Sequence, residues 1–448
     1  MKIKLDIEQH NTHTLLYLLK GKGIHIPTDC NGMGHCGKCS VNVQGVGRQL
    51  ACQYIPHGET VVETDSNNYE QISSTVNHTG IPNPNLVYVD LGSSTIAMVF
   101  KDEQLLFSNP CIKFGQDIIS RIKSACEGNA ILMRNLLREQ IQSGIQSFRN
   151  NPQEVTDVYL AGNTAMIHLF MGYPCESLAV SPFVSYKQDS INTEVDGIHY
   201  HIPPCIGGFL GADYVMGLLS LDFQTRNDTC LFIDMGTNGE LGICHNGNIY
   251  SCSVASGPAF EGGNLSCGCP SIPGAISQVT LGGVMPRIHT ISNKLPIGLC
   301  GSGAISLFYE LIRKDYVNAS GILSDQFPFE GLTICRSSQR GKIVFTPKDF
   351  RNVQLAIASL QAGIYTLCNH AGISPSQLKH SYLAGGLGNV SFPFLSNVEY
   401  VGNACLSGLI RWAGQKEREF SKPKQISISL ADDPYYKTEL IQCMERLI

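Results

Sequence analysis

Apolar and polar positions alternate from the first residue. MKIKLDIEQH (1–10) reads as a strand. TLLYLLKGKGIHIP (14–27) changes to a helix-like spacing, and SVNVQGVGRQLAC (40–52) returns to alternation as a hairpin with a tight turn near Gly45 to Gly47. DSNNYEQISSTVNHTGIPNPN (65–85) then has few apolar residues, many Asn, Ser and Thr, and two prolines, the composition of a flexible linker. Beyond it the apolar runs lengthen. LVYVDLGSST (86–95) and CLFIDMGTNG (230–239) each read as a buried strand that ends in Asp, turns sharply at Gly and continues as a second strand. FTPKDFRNVQLAIASLQAGIYTL (345–367) is a long helix with Thr346 as N-cap and Pro347 at its first position. GLCGSGAISLFYEL (298–311) opens another helix at Gly301, Ser302 and Gly303, where backbone N–H groups can meet a nucleotide. No apolar run reaches the ~18 residues that a membrane helix needs.

Two of these patterns recur. The Asp-x-Gly turn appears at Asp90 and again at Asp234, and a YLAG strand end follows each, at 159–162 and 382–385. Ordered self-similarity of this kind points to an internal duplication. In each turn the Asp carboxylate emerges at the strand end, and the backbone N–H groups and hydroxyls after it can face a phosphate. Two such turns on facing lobes place Asp90 and Asp234 across one cleft, where they can hold Mg²⁺ through water or orient an attacking water.

Composition narrows the classes. A chain of 448 residues with 43% hydrophobic residues and 45 glycines suits a multidomain α/β protein. Its net charge of −5 argues against nucleic acid as partner. The N-terminus shows no apolar secretory core, so the expected location is the cytoplasm. Eighteen cysteines are many, but most lie singly in apolar segments. Cys111, Cys126, Cys205, Cys230, Cys244, Cys300 and Cys368 read as small buried hydrophobes in a reducing compartment. Cys267 and Cys269 read as two unrelated loop thiols.

The segment CNGMGHCGKC (30–39) admits three readings. It contains G-x-G-x-x-G, it contains most of a phosphate loop, and it spaces Cys30, Cys36 and Cys39 as C-x5-C-x2-C. Both phosphate readings need a strand before the glycines and a helix directly after them. Here a helix precedes and a hairpin follows. Cys52 supplies a fourth thiolate twelve residues after Cys39, completing the set a 2Fe–2S cluster requires. A four-cysteine zinc site is the competing reading, and it usually shows two C-x2-C knuckles. With four cysteines present, His35 reads as a loop residue.

Residues 1–66 resemble 2Fe–2S ferredoxins, which implies a β-grasp domain with Cys30, Cys36, Cys39 and Cys52 on the cluster. The gap between Cys39 and Cys52 is shorter than usual, so a more exposed cluster edge is expected. Residues 67–85 form the linker, and 86–448 resemble the acetate-and-sugar-kinase, actin and heat-shock ATPase superfamily. That resemblance implies a duplicated actin-like (RNase H-like) α/β fold, with lobes at about 86–225 and 226–448, closing over ATP and Mg²⁺. It matches Gly92, Ser93, Ser94 and Thr95 to the first phosphate loop and Gly236, Thr237, Asn238 and Gly239 to the second. Gly385 and Gly386 match the adenosine loop. Glu240 and Glu261 are candidates for the base or for a contact to Mg²⁺ or water. The first loop is Ser93-Ser94-Thr95 where threonines are commoner, and its hydroxyls are kept.

The combination is similar to the reductive activators of corrinoid-dependent enzymes, and the likeness covers nearly the whole chain. LAGNTAMIHL (160–169), IDMGTNGEL (233–241), ASGPAFEGG (255–263), PIGLCGSG (296–303), NVQLA (352–356) and LAGGLGN (383–389) carry it. The resemblance implies ATP-dependent delivery of one electron from the 2Fe–2S cluster to Co(II), regenerating Co(I). The partner would be a methyltransferase-associated corrinoid protein or a corrinoid iron–sulfur protein, with an upstream electron donor and a homodimeric ATPase domain. Plant-type ferredoxins sit near about −400 mV, and lifting one electron by ~100 mV costs about 2.3 kcal/mol, so an ATPase beside a carrier is a sensible pairing. Family members often carry a further domain where this chain has only the linker. Asn163 and Asp213 match family segments without a role the sequence supplies. The competing readings are a redox-sensing small-molecule kinase, an activator of radical dehydratases, and a carrier whose ATP site only senses nucleotide. The dehydratase activators hold their cluster inside the ATPase, which the Cys30–Cys52 set contradicts.

Overall fold

The computed structural model describes residues 2–7, 12–21, 39–63, 85–115, 117–149, 152–236, 238–283, 285–337, 341–388, 390–414 and 424–446. Cys30, Cys36, Thr237 and the linker up to residue 84 lie outside these. So does any strand between the first strand and the first helix. The chain forms two compact units, Met1–Glu70 and Gln71–Ile448.

In the first unit, strand β1 (Lys2–Ile7) is followed by helix α1 (Leu15–Gly21), β2 (Ser40–Val43), β3 (Gly47–Leu50) and β4 (Gly58–Glu63), in sheet order β1-β4-β2-β3. The expected hairpin is present, and its turn uses left-handed backbone at Gly45 and Gly47, which glycine adopts without a steric penalty. Leu15 and Leu19 of α1 pack against Leu5, Val41, Val43 and Val62. Cys52 falls two residues beyond β3 rather than on it, in a turn fixed by the Ala51 N–H donating to the Cys39 carbonyl at 2.9 Å.

The second unit begins with β5 (Leu86–Leu91), β6 (Thr95–Phe100) and β7 (Glu103–Ser108), an antiparallel meander. Helices α2 (Ile118–Ser124) and α3 (Ala130–Ser147) lead to β8 (Asp157–Gly162), then α4 (Thr164–Met171), α5 (Glu176–Ala179), β9 (Ile191–Val195) and β10 (Ile198–Ile202). The sheet order is β7-β6-β5-β8-β10-β9. Helix α6 (Ala212–Ser220) then crosses to a second sheet. There β11 (Cys230–Met235), β12 (Gly239–His245) and β13 (Asn248–Val254) form another meander. A small sheet of β14 (Ala275–Thr280), β15 (Arg287–Thr290) and β16 (Gly298–Leu299) precedes α7 (Gly301–Arg313). The hairpin β17 (Leu332–Ser337) and β18 (Gly341–Phe345) leads into α8 (Pro347–Ala371). Then come β19 (His380–Gly385), β20 (Val398–Gly402), α9 (Ala404–Gly414), β21 (Lys424–Ser427) and α10 (Pro434–Glu445). The second large sheet runs β20-β19-β11-β12-β13-β21.

The duplication is written in the registers. In the first sheet Tyr88, Val89, Asp90 and Leu91 lie opposite Tyr159, Leu160, Ala161 and Gly162, in parallel. In the second, Phe232, Ile233, Asp234 and Met235 lie opposite Tyr382, Leu383, Ala384 and Gly385 in the same sense. The two repeated sequence patterns are thus neighbouring strands, built twice.

Period-two alternation then aims the carboxylates. Val87, Val89 and Leu91 join the core of the first sheet, whereas Tyr88 packs on the opposite face with α6 and α9. Leu231, Ile233 and Met235 join the second core, and Phe232 packs on the opposite face with Tyr214 and Leu218 of α6. Asp90 and Asp234 share the faces of Tyr88 and Phe232. A slip of one residue would drive either carboxylate into an apolar core, where it has no partner.

Long helix α8 begins as expected. Thr346 accepts from the Asp349 N–H, and the Asp349 carboxylate accepts from the Thr346 N–H at 2.8 Å, closing a capping box. Of the seven scattered cysteines expected to be buried, Cys126 is exposed and the other six are buried. Cys126 occupies an irregular helical turn between α2 and α3, where one side faces water.

Candidate functional site

The turn after β5 is held rigidly. A side chain at Gly92 would collide with the Thr95 carbonyl, so the turn needs a residue without one. Buried Asn109 fastens it from behind: its amide donates to the Gly92 carbonyl at 2.7 Å, and its backbone N–H donates to the Ser94 carbonyl at 2.9 Å. The Ser94 hydroxyl donates to Glu261 at 3.1 Å, across from the first half of the unit to the second. Ser94 and Glu261 therefore face one another across the two halves.

The second turn sits at the matching place. The Gly236 N–H donates to the Asn238 carbonyl at 2.9 Å, and Gly239 packs against Val254. Gly385 has left-handed backbone, and a side chain there would overlap the Met235 carbonyl. Gly386 donates to that carbonyl at 3.4 Å, so Gly385 and Gly386 adjoin the second turn. Gly301 lies against the Phe260 carbonyl and Gly303 against the Ile276 carbonyl, with no room for a Cβ. Close packing accounts for both glycines, and the tight seat brings the start of α7 to the residue preceding Glu261.

Four carboxylates gather between the turns. Glu240 lies opposite Asp234 in the β11–β12 register. Asp213 stands at the start of α6, and Asp90 accepts from the Asn403 amide at 2.7 Å. Burial raises each of them. Asp90 reaches about 6, although bonds from Asn403 and Cys405 pull it down. Asp234 reaches about 7 through burial and the neighbouring charge of Asp90. Asp213 reaches about 8 through burial and the charges of Asp234 and Asp90. Glu240 rises well above the carboxylate range through burial, Asp213 and Asp234. Mutually repelling acids of this kind are relieved by protonation or by a cation. Among the described residues, no three His, Cys, Asp or Glu side chains converge tightly enough to ligate a metal directly. The set fits a hydrated divalent ion held through water.

Two contributors escaped the sequence reading. Asn403 caps α9 by accepting the Leu406 N–H at 2.8 Å while its amide serves Asp90. Asp213 was without a role, and its place between the two turns supplies one. The signal was available: GADYVMGLL (211–219) and GNACLSGLI (402–410) form a third repeated pair. These are the starts of α6 and α9, which pack closely on one another. Asn163 caps α4 by accepting the Met166 N–H at 3.0 Å.

In the first unit, Cys39 and Cys52 are both buried, with sulfurs 3.1 Å apart. That is too far for a disulfide and near enough for one iron to bind both. Both fit the cluster set, of which Cys30 and Cys36 lie outside the described residues. Cys267 and Cys269 are buried on either side of the Leu299 backbone, to which both are hydrogen-bonded.

Known proteins align with this layout. Residues 2–57 match the 2Fe-2S iron-sulfur cluster binding domain, 87–226 the RACo middle region, and 228–427 the C-terminal domain of RACo, the ASKHA domain. The chain is 29% identical over 329 residues to the corrinoid activation enzyme RamQ of Eubacterium limosum, covering 66% of this chain and 54% of that one. It is 27% identical over 319 residues to the [Co(II) methylated amine-specific corrinoid protein] reductase of Methanosarcina barkeri, covering 61% and 56%. It thus spans a little over half the length of these relatives. A solved structure titled reductive activator for corrinoid, iron-sulfur protein superposes with a TM-score of 0.72 at 20% identity, covering 99% of this chain and 97% of that one, and shares its fold. With two successive RACo models covering most of its length behind a 2Fe–2S binding domain, the chain belongs to the RACo family.

Proposed function

We propose that this chain is an ATP-dependent reductive activase that passes one electron from its 2Fe–2S cluster to the Co(II) of a corrinoid protein, giving Co(I). One observation carries the reading. Two matched phosphate turns close on a single carboxylate cluster and are tied across by Ser94–Glu261 and Asn403–Asp90, in a chain that also holds a paired-cysteine cluster loop. The names of the relatives, one a corrinoid activation enzyme and one a Co(II) corrinoid protein reductase, supply the substrate class.

In this reading residues 1–66 are the ferredoxin domain, 67–85 the linker, and 86–448 a two-lobed ATPase divided near 225. Cys30, Cys36, Cys39 and Cys52 hold the cluster, which supplies single-electron chemistry when bound. The loops at Gly92–Thr95 and Gly236–Gly239, the start of α7 at Gly301–Gly303, and Gly385–Gly386 offer backbone donors and hydroxyls to the nucleotide. Asp90 and Asp234 hold hydrated Mg²⁺. Asp213 and Glu240, the most strongly raised acids, can accept a proton from water only after a bound cation has drawn off their own. Glu261 holds the first loop until a phosphate takes the Ser94 hydroxyl. Nucleotide closure of the two halves then favours the conformation in which Co(I) is less disfavoured. A low-potential donor must reload the cluster after each transfer, and the ATPase half is read as a homodimer.

The test is an anaerobic absorbance assay of Co(I) formation on a Co(II) corrinoid protein, with and without Mg-ATP. Strictly ATP-dependent Co(I), lost in Asp234→Ala and in Cys36→Ala, is the expected result. Absence of Co(I) together with phosphorylation of a small acid or sugar would overturn it in favour of a kinase.

A further inference from the structure

Arg121 is the largest fully buried side chain of the described residues, with 0% exposure. Its Nε donates to the Gly115 carbonyl at 2.8 Å, and one Nη donates to the Met166 sulfur at 3.4 Å. Its other Nη, also buried, meets no acceptor among the described residues. A buried guanidinium with an orphan donor is costly, because its lost hydration is not replaced.

The chain's own anions do not answer it. The Cys111 thiol is pushed by burial to about 12 and stays neutral. The Asp117 carboxylate is occupied by the Ser120 N–H at 2.8 Å and the Ser120 hydroxyl at 2.7 Å, capping α2. Glu261 is close enough for its charge to act on Arg121, yet it accepts from Ser94 on the first phosphate turn.

The position of Arg121 is telling. Met166, which takes its Nη, also lies 3.9 Å from the Asn109 amide, and that amide holds the Gly92 carbonyl. Arg121 is thus linked to the Gly92 turn through Met166 and Asn109. The cleft between the two turns is acidic: the charges acting on Asp213, Asp234 and Glu240 are all carboxylates, and Glu261, whose charge acts on Arg121, reaches the first turn through Ser94. A triphosphate brings one more strongly charged group into this cleft than a diphosphate does. A fixed cation beside the turn would make that difference favourable.

We propose that Arg121 is a positioning residue for the terminal phosphate of a nucleoside triphosphate at the Gly92–Thr95 turn, so that the cleft prefers triphosphate to diphosphate through its charge. This rests on the nucleotide reading above. When the terminal phosphate takes the Ser94 hydroxyl, Glu261 is released, and the guanidinium, whose other Nη has no acceptor among the described residues, gains the charge of the phosphate beside that of Glu261.

Calorimetric titration of the full chain with Mg-AMP-PNP and with Mg-ADP tests it. The wild type is expected to bind AMP-PNP at least tenfold more tightly than ADP. Arg121→Met should erase that ratio by weakening AMP-PNP while leaving ADP within twofold, and Arg121→Lys should restore most of it. Glu261→Gln, which keeps Arg121 in place, should tighten AMP-PNP severalfold relative to ADP, and it provides the answer should Arg121→Met fail to fold. Equal weakening of both nucleotides in Arg121→Met marks a purely structural arginine and overturns the inference. So does an unchanged ratio in Glu261→Gln, or equal affinities in the wild type. Failure of the wild type to bind either nucleotide would instead sink the nucleotide reading itself.

Discussion

Asn403 does two jobs with one amide, and they can be separated. Its oxygen caps α9 and its nitrogen holds Asp90 at 2.7 Å. Asn403→Asp keeps a good cap but replaces the donor with a second carboxylate. A hydrogen bond to a charged group is worth about 1.5–3 kcal/mol, and one pKa unit is about 1.4 kcal/mol. Losing it lifts Asp90 by roughly one to two units, from the about 6 it has here. Repulsion from the new carboxylate adds in the same direction. Ionised Asp90 is the form that can hold a cation, so activity should rise with pH through this value. At pH 7 the wild type is then mostly ionised and the variant mostly protonated. The assay is Mg-ATP hydrolysis from pH 5.5 to 9, beside thermal unfolding. The acid limb of Asn403→Asp should move up by at least one unit while the unfolding midpoint stays near wild type. Asn403→Ala should show a similar move with an added loss of about 1 kcal/mol from the cap. A folded Asn403→Asp protein whose profile overlays the wild type would refute the reasoning.

Three further outcomes follow from the same geometry. Asp90, Asp234 and Asp213 hold protons in the folded state up to about 6, 7 and 8, above their unfolded values near 4, so without Mg²⁺ stability should fall as pH rises from about 4 to 8. Asp213→Asn should flatten that fall, and Mg²⁺ should raise the unfolding midpoint more at pH 8 than at pH 6; equal Mg²⁺ effects at both would contradict it. Gly385→Ala forces a side chain onto the Met235 carbonyl in left-handed backbone, costing at least about 1–3 kcal/mol, and calorimetry should show lost nucleotide binding with a lower midpoint. Cys39→Ala and Cys52→Ala should each remove the visible absorbance of the 2Fe–2S cluster and leave ATP binding within twofold, since the units are compact separately.

The strands and turns of the duplicated fold were legible because their signals are local. Period-two apolar runs, an Asp at the strand end and a glycine after it all lie within ten residues, and the registers of Asp90 and Asp234 confirm what the repeats LVYVDLG and CLFIDMG suggest. The capping box at Thr346 is local in the same way. What was illegible depends on distant approach. Nothing near Asn403 in the chain reveals that Asp90, 313 positions away, will accept its amide. Nothing local to Arg121 announces that packing will bury it completely. Gly301 and Gly303 are read for a ligand, and the close backbone approach they also make, to Phe260 and Ile276, has no local signal. Asp213 was visible within a repeat, and only the partner repeat at Asn403 shows why both positions matter.

The exchange of helices between the two sheets has a consequence for how the protein is made. Helix α9, near the end of the chain, covers the face of the first sheet where Tyr88, Val99 and Ala161 lie, while α6, from the first half, reaches the second sheet through Tyr214 and Leu218. On the ribosome the first sheet emerges with only α6 against that face, and the part that α9 covers stays open for some two hundred residues of further synthesis. A fragment cut between the two halves would carry the same exposed apolar surface permanently, so it should aggregate rather than fold. The two halves are a single folding unit that happens to contain a cleft, and the last cover to arrive is the helix whose first turn touches Asp90.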